Sequence, residues 1–241
     1  MKHMKAGVLC LALLAAATPA SAQMTWTDKG FVNVNFGAQT GSQSFSVNTP
    51  FELYGETGEV ASAMDVKARG FFEIAGGYKV WSNLALGVGY TFASGSSDAA
   101  VTALVPDPLL FDQLRPVTTD ASDLGHTEHG IHLTGTWMIP VTDKVDVGLA
   151  FGPTIFMISQ EIASGVDVTE PGPTVTGVTV ESLDETTVGF HLGVDVTYLV
   201  TPRIGVGALA RYTRGSVDVD NAPESLKAGG FQVGAGVRFR F

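Results

Sequence analysis

The sequence predicts a transmembrane antiparallel up-and-down β-barrel of about eight strands. Apolar residues make up 45% of the chain and charged residues only 16%. Even so, no apolar run reaches the ~20 residues that a membrane-spanning helix needs. Instead, apolar side chains alternate with small or polar ones in segments of roughly ten residues, the pattern of strands that face two different environments. Short and long connections alternate between these segments, as expected for a barrel with two unlike ends.

The first 22 residues have the features of a secretory signal peptide. Lys2 and Lys5 precede a short apolar stretch, and Ala20-Ser21-Ala22 forms a small-residue cleavage site. We therefore expect residues 1–22 to be removed and residues 23–241 to form one barrel domain. Cleavage would also remove Cys10, the one cysteine of the chain, so the barrel would be stabilised without disulfides.

The last segment shows the strand pattern most clearly. From Phe231 to Phe241 every odd position is apolar, whereas the even positions hold Gln, Gly, Gly, Arg and Arg. Because successive side chains of a strand point to opposite faces, this strand has one apolar face and one polar face. The same alternation predicts seven further strands, over residues 32–39, 66–80, 84–92, 131–139, 145–151, 188–198 and 206–212.

The connections between these strands are of two kinds. Three are short turns, at 81–83, 140–144 and 201–203. Four are long, at 48–65, 95–127, 161–185 and 218–225. Outer-membrane barrels have an even number of strands, short periplasmic turns and long external loops. We therefore expect the three turns in the periplasm and the four loops outside the cell.

The apolar face could point outward to lipid, or inward around a ligand as in a soluble barrel of the lipocalin type. A soluble barrel should carry many Lys and Glu residues on its outer face, whereas the non-apolar face here is mostly Gly, Ala and Thr. Small residues suit the narrow lumen of eight strands. Aromatic residues also lie near the strand ends, as in the girdles of a membrane barrel: Trp81, Tyr90, Phe92, Trp137, Tyr198, Tyr212 and Phe241. With the apolar face in lipid, we expect Leu86→Arg to impair insertion and Gly87→Ser, on the lumen face, to be milder.

The chain resembles the small bacterial outer-membrane barrels in three features. These are the signal peptide, the eight amphipathic strands and the terminal Val237-Arg238-Phe239-Arg240-Phe241. These families include the OmpA transmembrane domain, the OmpX/Ail group and OmpW. The resemblance is one of pattern and covers residues 23–241. It implies a location in the cell outer membrane and recognition of the last strand, ending in Phe241, by the barrel assembly machinery. It carries over no catalytic, cofactor-binding or metal-binding residue.

Because successive side chains point to opposite faces, odd and even positions of a strand belong to different faces, a rule that we call strand parity. Strand parity places a small set of charges of both signs in the lumen. Charges removed from water need partners, so we interpret them as an internal ion-pair network that fills the barrel. A narrow ion path is the alternative, although a ring of one sign would favour a selective pore more strongly. The basic members are Lys67, Arg69, Arg211, Arg238 and Arg240, and the acidic members are Glu73, Glu128, Asp146 and Asp195.

The histidines do not form a convincing metal site. His126, His129 and His132 are three residues apart, and on a strand this spacing turns the middle one to the opposite face. A metal ion needs three or four converging ligands, so no metal or other cofactor is expected. His191 is interpreted as a packed polar residue of the lumen.

The residues also offer no clear catalytic motif. Ser94, Asp123 and His126 are the residue types of a hydrolase, but they lack the local spacing of a known motif. The chain is therefore not expected to be an enzyme, and a lipid A-modifying enzyme is the third of three functional hypotheses.

The long connections are strongly acidic. They hold 18 of the 24 acidic residues and one basic residue, Arg115. A solvated surface explains such a bias most simply; divalent-cation bridging beside anionic lipopolysaccharide, or docking of a basic partner, are the functional alternatives. The acidic residues are Glu52, Glu56, Glu59, Asp65, Asp98, Asp107, Asp112, Asp120, Asp123, Glu161, Asp167, Glu170, Glu181, Asp184, Glu185, Asp218, Asp220 and Glu224.

The leading functional hypothesis is a non-enzymatic outer-membrane barrel of envelope-structural or surface-interaction type, with acidic external loops. A narrow porin or channel for small solutes is the alternative. The expected partners are outer-membrane lipid, lipopolysaccharide and the assembly machinery. Nucleic acid is not expected as a partner, because residues 23–241 retain only 12 of the 14 basic residues (Lys2 and Lys5 are lost) against 24 acidic ones. The sequence indicates no ligand and no oligomeric state.

Overall fold

The computed structural model describes residues 25–40, 44–217 and 225–241. The predicted signal peptide and the acidic residues Asp218, Asp220 and Glu224 lie outside this part. None of the described residues forms a helix long and apolar enough to cross a membrane. The described residues form ten strands: β1 (Gly30–Gln39), β2 (Ser44–Leu53), β3 (Glu56–Asp65), β4 (Arg69–Trp81), β5 (Leu84–Pro106), β6 (Leu114–Thr142), β7 (Val145–Thr169), β8 (Thr174–Leu199), β9 (Ile204–Val217) and β10 (Leu226–Arg240).

Eight of these strands close a ring. β1 pairs with both β4 and β10, and the remaining strands pair in sequence from β4 through β10, all antiparallel. The predicted eight-stranded up-and-down barrel is therefore confirmed. β2 and β3 form a hairpin outside the ring, and β3 pairs with the far end of β5 through Glu59–Asp65.

The part of the barrel nearest the short turns, which we call the lower part, has an apolar outer face, as the alternation predicts. Leu86 is 55% exposed and Leu192 is 61% exposed, whereas their neighbours Ala85 and His191 are buried. The seven aromatic residues assigned to the girdles are all exposed. In a water-soluble barrel this band would be a large unfavourable surface, so we assign it to contact with lipid.

One expectation about the lumen face does not hold. A Cβ atom built on Gly87 would lie 2.2 Å from the carbonyl oxygen of Gly76 and 2.8 Å from the Cα atom of Gly77. The backbones of β4 and β5 approach too closely here for a side chain. Gly87→Ser would therefore force the two strands apart and would not be a mild change.

Three of the four predicted long loops are mostly strand, which corrects the sequence-based prediction. β5, β6, β7 and β8 contain 23, 29, 25 and 26 residues, whereas ~9–11 residues suffice for a strand to cross the membrane. The segments predicted as loops at 95–127 and 161–185 continue these ladders past the membrane. Residues 48–65 belong to the β2–β3 hairpin.

The polarity of the wall reverses along these long strands. In the lower part of β5, Leu86 points outward, but in the upper part Val101 and Val105 are buried inside while Thr102 is exposed. Eighteen buried apolar residues from β2, β3, β5, β6, β7 and β10 form one core above the barrel. We call this part the head (residues 44–65, 97–124, 156–186 and 226–228). Its outer surface meets water rather than lipid, so its apolar side chains are buried in the interior.

Candidate functional site

The end of the lumen nearest the short turns is closed by the segment that precedes β1. Trp26 is only 2% exposed and packs edge-on against Phe31, with 6.4 Å between the ring centroids. Met138 completes this apolar cluster. The backbone N–H of Trp26 donates to Oδ1 of Asn83 at 3.1 Å, and Nζ of Lys79 donates to the carbonyl oxygen of Trp26. Sequence reasoning missed this plug because residues 25–29 show no strand alternation.

Two arginines of β10 fill the lower lumen. Arg238 is fully buried and binds Asp195 through two hydrogen bonds, Nε to Oδ1 at 3.0 Å and Nη2 to Oδ2 at 2.6 Å. Nε of Arg240 lies 3.8 Å from Oδ2 of Asp146, and its Nη2 donates to Oγ1 of Thr197 at 2.8 Å. Both arginines therefore have the carboxylate partners that parity predicted.

Arg211 holds the middle of the lumen together. Its Nη1 forms an ion pair with Oε1 of Glu73, and its Nη2 donates to Oγ1 of Thr91 at 2.9 Å. Its Nε donates to Oε1 of Gln232 at 2.8 Å. Asn35 in turn donates to Oε2 of Glu73 at 2.8 Å. Four strands are thus linked through one buried guanidinium.

Two histidines share a threonine beside this cluster. Nδ1 of His132 and Nδ1 of His191 lie 2.8 and 2.9 Å from Oγ1 of Thr154. The two rings pack edge-to-face with centroids 5.0 Å apart. The interpretation of His191 as a packed polar residue is confirmed.

The other histidines follow the predicted parity. His126 and His132 are buried inside, whereas His129 lies on the outer face, with Nδ1 2.7 Å from the hydroxyl of Tyr90. Ser94 is exposed on the outer face while His126 points inward, so the candidate hydrolase residues are not brought together. Among the described residues, no three His, Cys, Asp or Glu side chains are close enough to hold a metal ion.

A fourth ion pair lies where the lumen meets the head. Nη2 of Arg69 donates to Oε2 of Glu128 at 2.7 Å. The same carboxylate accepts hydrogen bonds from the side chain of Gln39 at 3.2 Å and from the backbone N–H of Gly229 at 3.0 Å. Above this pair, the apolar core of the head begins.

The placement of Lys67 in the lumen was wrong. β4 begins at Arg69, so Lys67 lies before the strand and the parity rule does not apply to it. Its side chain is 60% exposed and binds Asp98 at 2.5 Å on the outer surface. This contact raises the pKa of Lys67 and lowers that of Asp98.

The lumen is packed along its length. A cavity of about 60 Å³ lies in the middle of the lumen, lined by Asn35, Glu73, His191 and Arg211 among others. Such a volume holds only a few water molecules. The apolar plug lies between this cavity and the short turns, and the Arg69–Glu128 pair and the head core lie on the other side.

The acidic residues of the long connections cover the outside of the head. Eleven of the fifteen in the described part are exposed and the other four are partly exposed. Some of them have structural contacts: Glu161 accepts the backbone N–H of Gly125 at 2.6 Å, and Glu56 accepts that of Asp112 at 2.9 Å. Arg115, the one basic residue of these segments, binds Glu170 and lies 3.4 Å from Asp107.

A transmembrane ring with a lipid-facing apolar band and a filled polar lumen defines the class of protein: a small β-barrel of the bacterial outer membrane. The sequence model of the outer membrane protein beta-barrel domain family matches residues 8–239. The chain belongs to this family. The comparison with curated protein sequences yields no match.

Three solved outer-membrane proteins are among the structures to which this chain is similar. Neisserial surface protein A is 15% identical, with 88% of this chain and 97% of that chain covered and a TM-score of 0.44. OprG from Pseudomonas aeruginosa is 10% identical over 92% and 99% of the two chains, with a TM-score of 0.48. The outer membrane protease OmpT from Escherichia coli is 12% identical over 92% and 99%, with a TM-score of 0.41. At these identities and TM-scores, the likenesses transfer no function to this chain.

Proposed function

We propose that this protein is a non-enzymatic surface-interaction protein, in which a closed barrel anchors a folded external head. The observation that carries the proposal is the head itself. Four barrel strands continue past the membrane without interruption, and together with the β2–β3 hairpin they enclose a separate apolar core. A barrel whose only role was to span the membrane would not need this second core.

The packed lumen supports an anchoring role over a channel. Eight strands enclose just enough room for side chains, and here Arg69, Arg211, Arg238 and Arg240 all have carboxylate partners. Solute passage would require breaking buried ion pairs, which is strongly unfavourable. The narrow channel therefore remains the second candidate.

The tip of the head offers a specific contact surface. At the turn between β5 and β6, Leu109 is 89% exposed and Phe111 is 76% exposed, with Leu110 between them also exposed. Oδ1 of Asp107 accepts the backbone N–H groups of Leu109 and Leu110 at 2.9 and 3.2 Å, which fixes the turn. Large apolar side chains exposed together commonly mark an interaction site.

The charges around the tip indicate the chemistry of the partner. Asp107 and Asp112 flank the apolar residues, and Glu56 lies beside Asp112. The basic residue nearby, Arg115, is already bound to Glu170. Electrostatic complementarity favours a partner of opposite charge, so we propose a basic surface with an apolar centre.

Binding to a model surface tests this proposal. Cells that display the protein should adhere to an immobilised cationic amphipathic peptide, and adhesion should fall when Leu109, Leu110 and Phe111 are all changed to Ser. The matched control changes Thr174, Thr176 and Thr179 of β8 to Ser. Two outcomes would refute the proposed contact. One is equal adhesion of the two variants; the other is adhesion of the unmodified protein to an acidic peptide of the same apolar content that equals its adhesion to the cationic peptide.

Electrical recording distinguishes the anchor from the channel. Purified protein in planar lipid bilayers should give no steady conductance, because the lumen is filled. Stable channels that are absent from mock preparations would favour the narrow channel. Mass analysis of lipid A from cells with and without the protein should show no difference, and a changed acylation pattern would favour the enzyme hypothesis instead.

A further inference from the structure

In the described part of the chain, the wall of the barrel has a lateral gap between β1 and the first residues of β10, on the side towards the head. β10 pairs with β1 only from Gln232 onward, so its first residues, starting at Leu226, have β9 as their one strand partner in the described part. On the other side, β2 pairs only with β3 among the described strands. A pocket of about 180 Å³ lies here, lined in part by Phe45, Leu226 and Phe231.

Arg69 lines this pocket from the inside. Its side chain is 3% exposed, and its Nη2 is bound to Glu128. Its Nε and Nη1 atoms are buried without a hydrogen-bond partner among the described residues. Buried N–H groups of this kind are costly unless they are satisfied. Arg69 therefore has two unsatisfied donor atoms, and the residue forms part of the pocket wall.

Two further cations line the same pocket from the outer side. Arg214 lies on β9 and Lys227 on β10. Neither has a carboxylate within salt-bridge distance in the described part of the chain. Among the described residues, the pocket lining contains three cations and no acidic residue, whereas the charged residues of the head are mostly acidic. A site with this composition selects an anion, and a fork of guanidinium donors suits phosphate oxygens.

The height of the pocket indicates where the anion comes from. Tyr212 and Phe231 are paired across β9 and β10 and are both exposed, as is typical of the aromatic girdle at the membrane interface. Arg214 lies two residues after Tyr212 on β9, and Lys227 lies four residues before Phe231 on β10. Because the two strands are antiparallel, both are displaced from the aromatic pair towards the head. At ~3.3 Å per residue, they are about 7 and 13 Å further along the strands, at or just above the headgroup layer.

We infer that this pocket binds the phosphate group of an outer-leaflet lipid. Arg214 and Lys227 meet the phosphate at the surface, and Nε and Nη1 of Arg69 donate to it from inside the gap. The exposed Tyr212 and Phe231 contact the acyl chains below. The site is independent of the tip and of the proposed surface interaction.

Lipid binding to the full chain in nanodiscs of phosphatidylcholine tests the inference. The probes are bisphosphorylated lipid A and the same lipid with its phosphates removed. The double variant Arg214→Gln/Lys227→Gln should bind the phosphorylated lipid roughly tenfold or more weakly, since charge-assisted hydrogen bonds are lost. The control, Lys144→Gln/Arg203→Gln, removes the same charge from the periplasmic turns and should bind normally.

Arg69 is tested by a conservative change. Arg69→Lys keeps the charge beside Glu128 but removes the guanidinium donors, so affinity for the phosphorylated lipid should also fall. The inference would be overturned if dephosphorylated lipid A bound as tightly as the phosphorylated lipid. It would also be overturned if the control Lys144→Gln/Arg203→Gln lost as much affinity as Arg214→Gln/Lys227→Gln. Displacement of the lipid by millimolar inorganic phosphate would assign the pocket to free phosphate and would equally overturn a lipid site.

Discussion

Arg115 of β6 donates two parallel hydrogen bonds to the carboxylate of Glu170, Nη1 to Oε2 at 2.9 Å and Nη2 to Oε1 at 2.5 Å. Glu170 lies at the turn between β7 and β8, so this contact joins the two longest hairpins of the head at their tips. The guanidinium of Arg115 holds the pKa of Glu170 below its ordinary value of 4.5, and Glu170 raises the pKa of Arg115.

This contact predicts that the two hairpin tips separate in acid. Because the pKa of Glu170 is lowered in the folded head, the pair stabilises the head fully above pH 4.5 and progressively less as the pH falls through the lower, folded value. Protease cleavage near Gly172 should therefore accelerate in that pH range. Glu170→Gln should cleave faster already at neutral pH and lose this pH dependence; an unchanged profile in that variant would contradict the assignment.

A second prediction concerns the buried pair in the lower lumen. Arg238→Met leaves the carboxylate of Asp195 without its partner and should destabilise the barrel by about 3–5 kcal/mol. The double variant Arg238→Met/Asp195→Asn removes the stranded charge and should recover a large part of this loss. Urea denaturation of the protein in lipid vesicles measures both. If the double variant is as unstable as the single one, the pair is not the source of the effect.

A third prediction tests the lipid face. Leu86→Arg places a charge in the apolar band and should cost about 2–4 kcal/mol near the middle of the membrane. Ala85→Ser is the matched control, because Ala85 faces the lumen and already has a Cβ atom. Folding yield into vesicles should fall for the first variant and stay near normal for the second. Equal yields would mean that the two faces are reversed.

A fourth prediction separates the head from the barrel. Val101→Asp buries an unpaired carboxylate in the head core, which is strongly unfavourable, whereas Thr102→Asp places the same group on the exposed face of β5. The first variant should still insert and keep a folded barrel, but its head should become sensitive to protease. The second should behave like the unmodified protein. Loss of insertion in Val101→Asp would show that head and barrel fold as one unit.

The orientation in the membrane is tested with epitope tags. Tags at Asp107 and Gly172 lie at the turns of the long hairpins and should be accessible on intact cells. A tag at Pro202, in the short turn between β8 and β9, should be accessible only after the outer membrane is permeabilised. The opposite result would reverse the assignment of the two ends.

Strand parity was enough to predict the barrel, its lipid face and the set of buried acidic residues from which Arg211 and Arg238 take their partners, because one face of each membrane strand meets lipid. It failed where the surroundings change. Around Val101 apolar and polar residues still alternate, but the outer face meets water instead of lipid, so the apolar residues lie on the inner face. A search for strands with an apolar outer face therefore classifies this segment as a loop. The Trp26 plug and the gap beside Arg69 depend on contacts between distant segments, which periodicity does not encode.

The continuous ladders from barrel to head also have a mechanical consequence. β5 and β6 are paired from Leu84 and Trp137 near the short turns to Pro106 and Leu114 near the tip, with one register shift between Ser97 and Ala99 and no loop in between. A force applied to the tip by an attached partner would therefore pass along the backbone directly into the membrane-embedded wall. Such a connection is rigid, and it would hold a bound object at a fixed distance from the cell surface.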